Sequence, residues 1–309
     1  MRGNALRAKI EEIWLKTIRL YTFHTPIAKG KYRLFLLALK FCRHLPTAIP
    51  VATTDARTVS ANLTTGMHAT VFFLGEYEKA LTRIVTDLLR PGDVCLDVGA
   101  NFGWYTTVFE KYAGPNGQVH SFEPVPPTFR ELERNYELMG RPANVSINNL
   151  ALGDEPGEIT INLFENLSTG HASLSDQGRA DAVRYAARLE RLDDYLAARR
   201  IERVDFVKVD IEGAEMKFLK GAKKLFEQDR PPIFLMEMAL EQTRNFGYRP
   251  HDLIEFLAAR AEYDFYVVDE LKVKLKKIEG FAPDDIGANV ICLPRQTAEE
   301  RLNYKKWVI

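Results

Sequence analysis

From about residue 94 onward, short unbroken apolar runs alternate with stretches whose apolar residues recur at helical spacing. Strands buried on both faces read as continuous apolar runs, so this alternation predicts a parallel sheet covered by helices on both sides. The predicted strands are Val94–Val98, Gln118–Phe122, Val145–Leu150, Phe206–Val209, Ile233–Met238, Phe265–Val268 and Asn289–Leu293. A long insertion, Gly153–Arg188, interrupts the series. Its Ile159–Phe164 stretch reads as an extra strand, and the polar Asn166–Gly178 stretch as a loop suited to be a substrate lid.

Upstream of the alternation, Ile10, Ile13, Trp14, Thr17 and Tyr21 recur at helical spacing among Lys and Arg, predicting an amphipathic helix over about residues 4–21. A second helix is expected over Tyr32–Arg43. Residues 51–74, rich in Thr and Val with Gly66 inside, read as a hairpin leading into a helix from Glu76 to Leu89 that Pro91-Gly92 closes. The expected organisation is a basic helical extension over 1–60 and an α/β domain over 61–309 carrying the insertion 153–188.

A chain of 309 residues suits one large domain with such an extension. The formal net charge is zero, so no overall field argues for nucleic acid, and no nucleic-acid partner is expected. That balance hides an asymmetry: residues 1–44 hold ten Lys or Arg against only Glu11 and Glu12. These helices are expected to pack on the main domain or on a second copy of the chain in a homo-oligomer; weak peripheral contact with anionic lipid is the other reading. The apolar stretch Leu34–Leu45 is cut by Lys40 and Arg43 and is too short to span a bilayer, so neither a transmembrane nor a targeting segment is expected. Three widely spaced cysteines, Cys42, Cys95 and Cys292, fit buried thiols in a reducing compartment, and a cytoplasmic location follows.

The chemistry concentrates at strand ends. After the first strand comes Asp97-Val98-Gly99-Ala100-Asn101-Phe102-Gly103, with a helix expected from Trp104. Such a turn lets a ligand approach the backbone above a helix N-terminus. A nicotinamide fingerprint would need glycine where Asn101 and Trp104 stand, which disfavours hydride transfer. Asn101 tolerates a left-handed conformation, so the turn survives. The second strand ends at Glu123-Pro124, where a carboxylate can accept the hydroxyls of a ribose. His120, inside that strand, reads as a core residue. Backbone amides near Leu150-Ala151 could flank an adenine ring. The fourth strand runs into Lys208-Val209-Asp210-Ile211-Glu212-Gly213-Ala214-Glu215, a charge density aimed at the crevice where α/β proteins bind ligands. Glu215 also suits a helix N-terminal acid favoured by the dipole.

Taken in order, Gly75-Glu76-Tyr77-Glu78, Asp97–Asn101 with Gly103, Phe122-Glu123-Pro124, Asn149–Leu152, Leu192-Asp193 and Lys208–Glu215 resemble the FkbM family of methyltransferases, over about residues 70–240. The resemblance implies a doubly wound, Rossmann-like class I methyltransferase fold with seven strands, the last antiparallel. It implies S-adenosylmethionine as donor, held by Glu78, Asp97, Gly99, Ala100, Asn101, Gly103, Glu123, Pro124, Leu150, Ala151 and Asp210. It further implies O-methylation of a hydroxyl on a sugar, glycan or other natural product. In-line methyl transfer needs an aligned acceptor and a route for its proton, and Lys208, Asp210 and Glu212 are the candidate catalytic residues. Lys208 could orient the hydroxyl or, if desolvation lowered its pKa, accept the proton. A divalent metal on Asp210, Glu212 or Glu237 is the alternative route, though no compact ligand motif calls for one; His171 is a further candidate base. Two other functions remain open from sequence, a donor-binding module without catalysis and an NAD-dependent oxidoreductase.

Overall fold

In the computed structural model, residues 2–25, 30–42, 45–164, 172–173, 182–282, 285, 287–298, 300–301 and 306–309 are described. They form two compact units, Met1–Tyr77 and Glu78–Ile309, so the division falls later than residue 60. The first unit holds α1 (Arg2–His24), α2 (Lys31–Phe41), the hairpin β1 (Ile49–Ala52) and β2 (Thr58–Ala61), and α3 (Gly66–Leu74). Sequence reading expected the hairpin but not α3, whose Val71, Phe72 and Phe73 favour strands. Burial of His68, Ala69, Val71, Phe72 and Phe73 overrides that preference.

The second unit opens with α4 (Lys79–Leu88), then alternates β3 (Val94–Val98), α5 (Trp104–Ala113), β4 (Gln118–Phe122), α6 (Pro126–Leu138) and β5 (Val145–Asn148). Next come β6 (Ala151–Leu152), β7 (Gly157–Phe164), β8 (Ala172–Ser173) and β9 (Ala182–Glu190). The alternation resumes with α7 (Leu192–Arg199), β10 (Phe206–Val209), α8 (Glu215–Lys220), α9 (Lys224–Glu227), β11 (Ile233–Ala239), α10 (Leu240–Arg244) and α11 (Pro250–Ala258). The chain closes through β12 (Tyr263–Asp269), β13 (Lys274–Ile278), β14 (Gly287–Pro294) and α12 (Arg295–Ala298).

The main sheet has eight strands in the order β13-β12-β14-β11-β10-β3-β4-β5. β5, β4, β3, β10 and β11 run parallel, while β14 inserts antiparallel between β11 and β12. This is the class I methyltransferase order, with one correction to the seven strands expected. β13 adds an antiparallel strand beyond β12, and the end of the chain covers its outer side through one parallel bridge, Leu275 to Val308, with Ile309 N donating to Leu275 O. Every residue of β3 and β10 is buried, because helices cover both faces, and Leu96, Val98, Phe122, Val207, Val209, Phe234 and Met236 lie in one apolar cluster.

The insertion is a second, four-stranded sheet, β6-β9-β7-β8, in which β7 pairs antiparallel with β9 from Gly157–Leu189 to Phe164–Ala182. The lid expected over 166–178 lies outside the described residues apart from the backbone of 172–173, and His171 lies outside them too.

At the opposite end of the main sheet from the strand carboxyl edges, Arg301 grips Asp93 with both guanidinium nitrogens, at 2.7 and 2.8 Å, and donates to Leu88 O. Asp93 also accepts the Arg90 backbone N–H, which closes the α4–β3 turn. Both side chains are buried, so removing one partner strands a charge. Arg301→Leu is expected to lower stability by about 3–5 kcal/mol, read from the urea unfolding midpoint at unchanged m-value.

Candidate functional site

From β3 the sheet order runs through β4 and β5 on one side and through β10 and β11 on the other. Ligands of open α/β sheets sit outside the strand carboxyl ends at such a switch point. There the turn after β3 bends back sharply: Gly99, Asn101 and Gly103 have φ of 77°, 51° and 89°. Gly99 N and Ala100 N both donate to Phe122 O, and Gly103 N closes on Ala100 O before α5 begins. A Cβ on Gly99 would stand 1.9 Å from the Asp210 carbonyl oxygen, so only glycine lets the turns after β3 and β10 meet.

Lys208 ties these two turns together. Its Nζ donates to Gly99 O at 3.2 Å and to Asp210 Oδ2 at 3.1 Å, and lies 5.4 Å from the Tyr105 ring centroid. Tyr105 in turn donates its hydroxyl to Glu78 Oε2 at 2.7 Å. Burial disfavours the ammonium, yet Asp210, Asp97 and Glu78 together outweigh it and hold the Lys208 pKa above the ordinary lysine range. Lys208 therefore stays charged, which corrects the alternative in which a lowered pKa made it the base. Its side chain is 8% exposed against 37% for Asp210, so of the pair it is Asp210 that a ligand can touch.

Asp97 is fully buried, and burial raises its pKa against the pull of Lys208 and the Thr106 hydroxyl. Oδ2 accepts the Thr106 hydroxyl at 2.7 Å, while Oδ1 takes no hydrogen bond from any described residue. An orphaned buried acceptor of this kind is costly, and its natural partner is a cationic donor.

On the neighbouring edge, the two Glu123 oxygens accept Asn101 N at 3.0 Å and Val125 N at 2.9 Å. Burial pushes this carboxyl up to about 7 despite both bonds. Asn149 donates to Glu123 O and Pro124 O, which draws the chain out of β5 and ends that strand earlier than expected. Leu150 is then buried and Ala151 half-buried at the start of β6. His120 sits in the core, 3.0 Å from the Tyr195 hydroxyl, with burial and then Arg199 lowering its pKa to about 4.

Beyond Asp210 the loop is held from below. Glu215, 1% exposed, accepts Ile211 N and Gly213 N, and the Tyr248 hydroxyl lies 2.9 Å from its other oxygen. Glu215 thus shapes the loop and faces away from any ligand. Glu212 holds φ at 54° and accepts the Gln242 amide at 3.2 Å. One carboxylate oxygen from each of Asp210, Glu212 and Glu237 falls within 4.8 Å of the others. Burial, then the charges of Asp210 and Glu212, drive the Glu237 pKa well above the usual carboxylate range, so its proton relieves the crowding. These three could also take a divalent cation.

The sequence-predicted residues converge as two groups: Glu78, Asp97, Gly99, Lys208, Asp210 and Glu212 around the switch point, and Asn101 with Glu123, Pro124, Leu150 and Ala151 along the β4 edge. Tyr105, Thr106 and Gln242 were missed, because helical aromatics and hydroxyls carry no spacing signal. Tyr105 and Thr106 do directly follow the turn at the start of α5, where a first helical turn faces the same crevice.

The Methyltransferase FkbM domain pattern matches residues 97–265. The chain is 28% identical over 169 residues to 31-O-demethyl-FK506 methyltransferase FkbM of Streptomyces tacrolimicus, covering 44% of this chain and 61% of that one. It is 26% identical over 144 residues to hexuronic acid methyltransferase AglP of Haloferax volcanii, covering 47% and 56%. The chain thus spans less than two thirds of either relative. Methyltransferase FkbM from Methylobacillus flagellatus KT aligns in structure over 72% of this chain and 52% of its own, at 15% identity and a TM-score of 0.41. With the family pattern covering more than half of its length, the chain belongs to the FkbM methyltransferase domain family.

Proposed function

We propose that this protein transfers a methyl group from S-adenosylmethionine to a hydroxyl oxygen of a sugar, glycan or other natural product. The observation that carries the reading is the Lys208–Asp210 pair set against the Gly99 turn, beside the orphaned Asp97 oxygen. The residues fit the donor. The bare backbone at Gly99 leaves room for its amino-acid end, the unpaired Asp97 oxygen adds negative potential behind that turn, and Glu123 retains lone pairs for two ribose hydroxyls. Glu78, Ala100, Asn101, Gly103, Pro124, Leu150 and Ala151 complete the donor side in this reading.

When bound, the donor supplies an electrophilic methyl on a sulfonium. The chain's part is positioning and proton removal. Asp210, the exposed member of its ion pair, receives the acceptor's proton as the oxygen attacks. Lys208 is a positioning residue that fixes the Asp210 carboxylate and adds positive charge near the developing oxyanion. Glu212, anchored by Gln242, lines the acceptor side. Lys208 on Asp210 supplies positive charge to this cluster from the chain itself, and the reading takes the proton transfer as metal-free. Support for oxygen as the acceptor atom comes from FkbM, whose name specifies a 31-O-demethyl substrate, and for a sugar from AglP, named for hexuronic acid. The nicotinamide alternative is disfavoured by the family match and by Asn101 and Trp104.

Calorimetric titration with S-adenosylhomocysteine, followed by methyl-release assays on a panel of hydroxylated saccharides, tests the reading. Binding with no turnover on any acceptor would favour a donor-binding module, and no binding would overturn the assignment. Asp210→Asn is expected to lower kcat by about 10²- to 10⁴-fold while S-adenosylhomocysteine affinity changes far less. Exhaustive EDTA treatment should leave turnover unchanged; loss restored by Mg²⁺ or Mn²⁺ would transfer the proton-releasing role to a metal on Asp210, Glu212 and Glu237.

The elevated Glu123 pKa gives a further check. Ribose hydroxyls donate to the carboxylate, so donor binding favours the deprotonated form and weakens as pH falls through about 7. S-adenosylhomocysteine affinity should drop by up to about tenfold from pH 8 to pH 6, and Glu123→Gln should bind weakly with that dependence removed. A wild-type affinity flat across this range would count against Glu123 as the ribose acceptor.

A further inference from the structure

The first helix is apolar on two adjacent faces. Leu15, Ile18 and Thr22 turn inward within the first unit, where the Thr22 hydroxyl donates to Phe73 O. At 100° per residue, Ile10, Ile13, Trp14, Thr17, Leu20 and Tyr21 form the next stripe, and all six are exposed, Ile10 and Ile13 at 58% and Leu20 at 62%. Ordinary surface helices give charged residues to every face that does not pack; this one spends an indole, a phenol and three aliphatic side chains on solvent.

Charge of one sign borders the stripe. Lys9 and Lys16 lie along the edge next to Leu20, and α2 adds exposed Arg33 and Lys40 around exposed Leu36 and Leu37. Of the two acids among residues 1–44, Glu11 is buried and Glu12 is bridged to Lys16 at 2.6 Å. The whole segment carries ten cations against those two.

We propose that this face docks on an anionic lipid surface. Ile10, Ile13, Trp14, Leu20 and Tyr21 enter to headgroup depth, and the flanking Lys and Arg meet lipid phosphates. A bilayer supplies the two things the face lacks, apolar depth for the stripe and continuous negative charge for its rim. Trp and Tyr, with an apolar body and a polar tip, suit that boundary. A second copy of the chain fits less well, since twofold pairing of this face sets Lys9 and Lys16 of one chain toward the same residues of the other. No helix among the described residues is long and apolar enough to cross a membrane, so the contact is peripheral.

The test is sedimentation of the full-length protein with vesicles of phosphatidylcholine alone or doped with phosphatidylglycerol. Co-sedimentation with the anionic vesicles only, falling as salt rises, is expected. The double variant Ile13→Ser/Trp14→Ser, altered only at exposed positions, should lose at least about tenfold in vesicle affinity while keeping its melting temperature. Trp14→Phe keeps the stripe and should still sediment, but without the fluorescence quenching that brominated acyl chains impose on the wild type. Absence of binding to anionic vesicles, or equal binding by the double variant, overturns the proposal. So does a dimer in sedimentation velocity that the double variant turns into monomer, which would make a second copy the occupant. The readout is independent of donor binding and turnover, so it stands or falls apart from the proposed chemistry.

Discussion

A buried ammonium makes this site affordable. Asp97, Glu78 and Asp210 converge at the carboxyl ends of buried parallel strands, where an uncompensated carboxylate costs several kcal/mol and would simply take up a proton. Lys208 opposes all three, and it does so from a strand position that β3 and β11 fix on either side. Its second hydrogen bond, to Gly99 O, makes the same charge hold the turn after β3 against the turn after β10. That contact requires the absence of a side chain at Gly99, so the electrostatics of the cluster and the backbone geometry of the turn are one constraint seen from two sides.

Much of this fold was legible because buried parallel strands have little freedom in composition. Val94–Val98, Gln118–Phe122 and Phe206–Val209 were delimited to the residue, since apolar runs there end at Pro, Gly or charge. Two of the strands missed have one face wet. β9, with Arg184 and Arg188 facing solvent and Val183, Tyr185, Ala187 and Leu189 turned inward, alternates with period two, but its Ala and Arg content suggests a helix. β13 is hidden in a run of lysines around the buried Leu275. In both, the partner strand decides the conformation: β12 pairs with β13 across a short turn, Asp269 opposite Lys274, and β9 pairs with β7, itself part of an insertion.

Legibility of the site divides along the same line. The donor side depends on backbone: left-handed turns, a glycine at a close approach and acids at strand ends, all of which leave fixed spacing in sequence. Glu123 could be placed because its strand ends at Pro124, and Asp210 because it follows β10. What connects them could not. The Tyr105 link from Glu78 toward Lys208, the Thr106 bond to Asp97 and the Gln242 bond to Glu212 come from helices whose faces are known only once they pack. Nor does a sequence reveal that Lys208 is outnumbered by acids and must stay charged, which is the fact that separates its role from that of Asp210.

The acceptor side follows a weaker rule. A methyl donor has the same sulfonium, ribose and amino-acid end whatever it methylates, so one backbone cradle serves every member of a family. An acceptor varies, and the groups that meet it are side chains on loops, free to change without disturbing β3 or β10. In the proposed mechanism the group beside Asp210 is Glu212, on a loop ordered locally: Glu212 is in a left-handed conformation, a Cβ on Gly213 would meet Gln242 O at 2.6 Å, and Glu215, turned inward, holds the loop from inside. Such a loop is held in place near Asp210, where the proposed mechanism needs the proton to move along a fixed line. On the proposed reading, selectivity among hydroxyls arises farther from the carboxylate, in contacts to the body of the acceptor, because one reacting hydroxyl oxygen looks much like another.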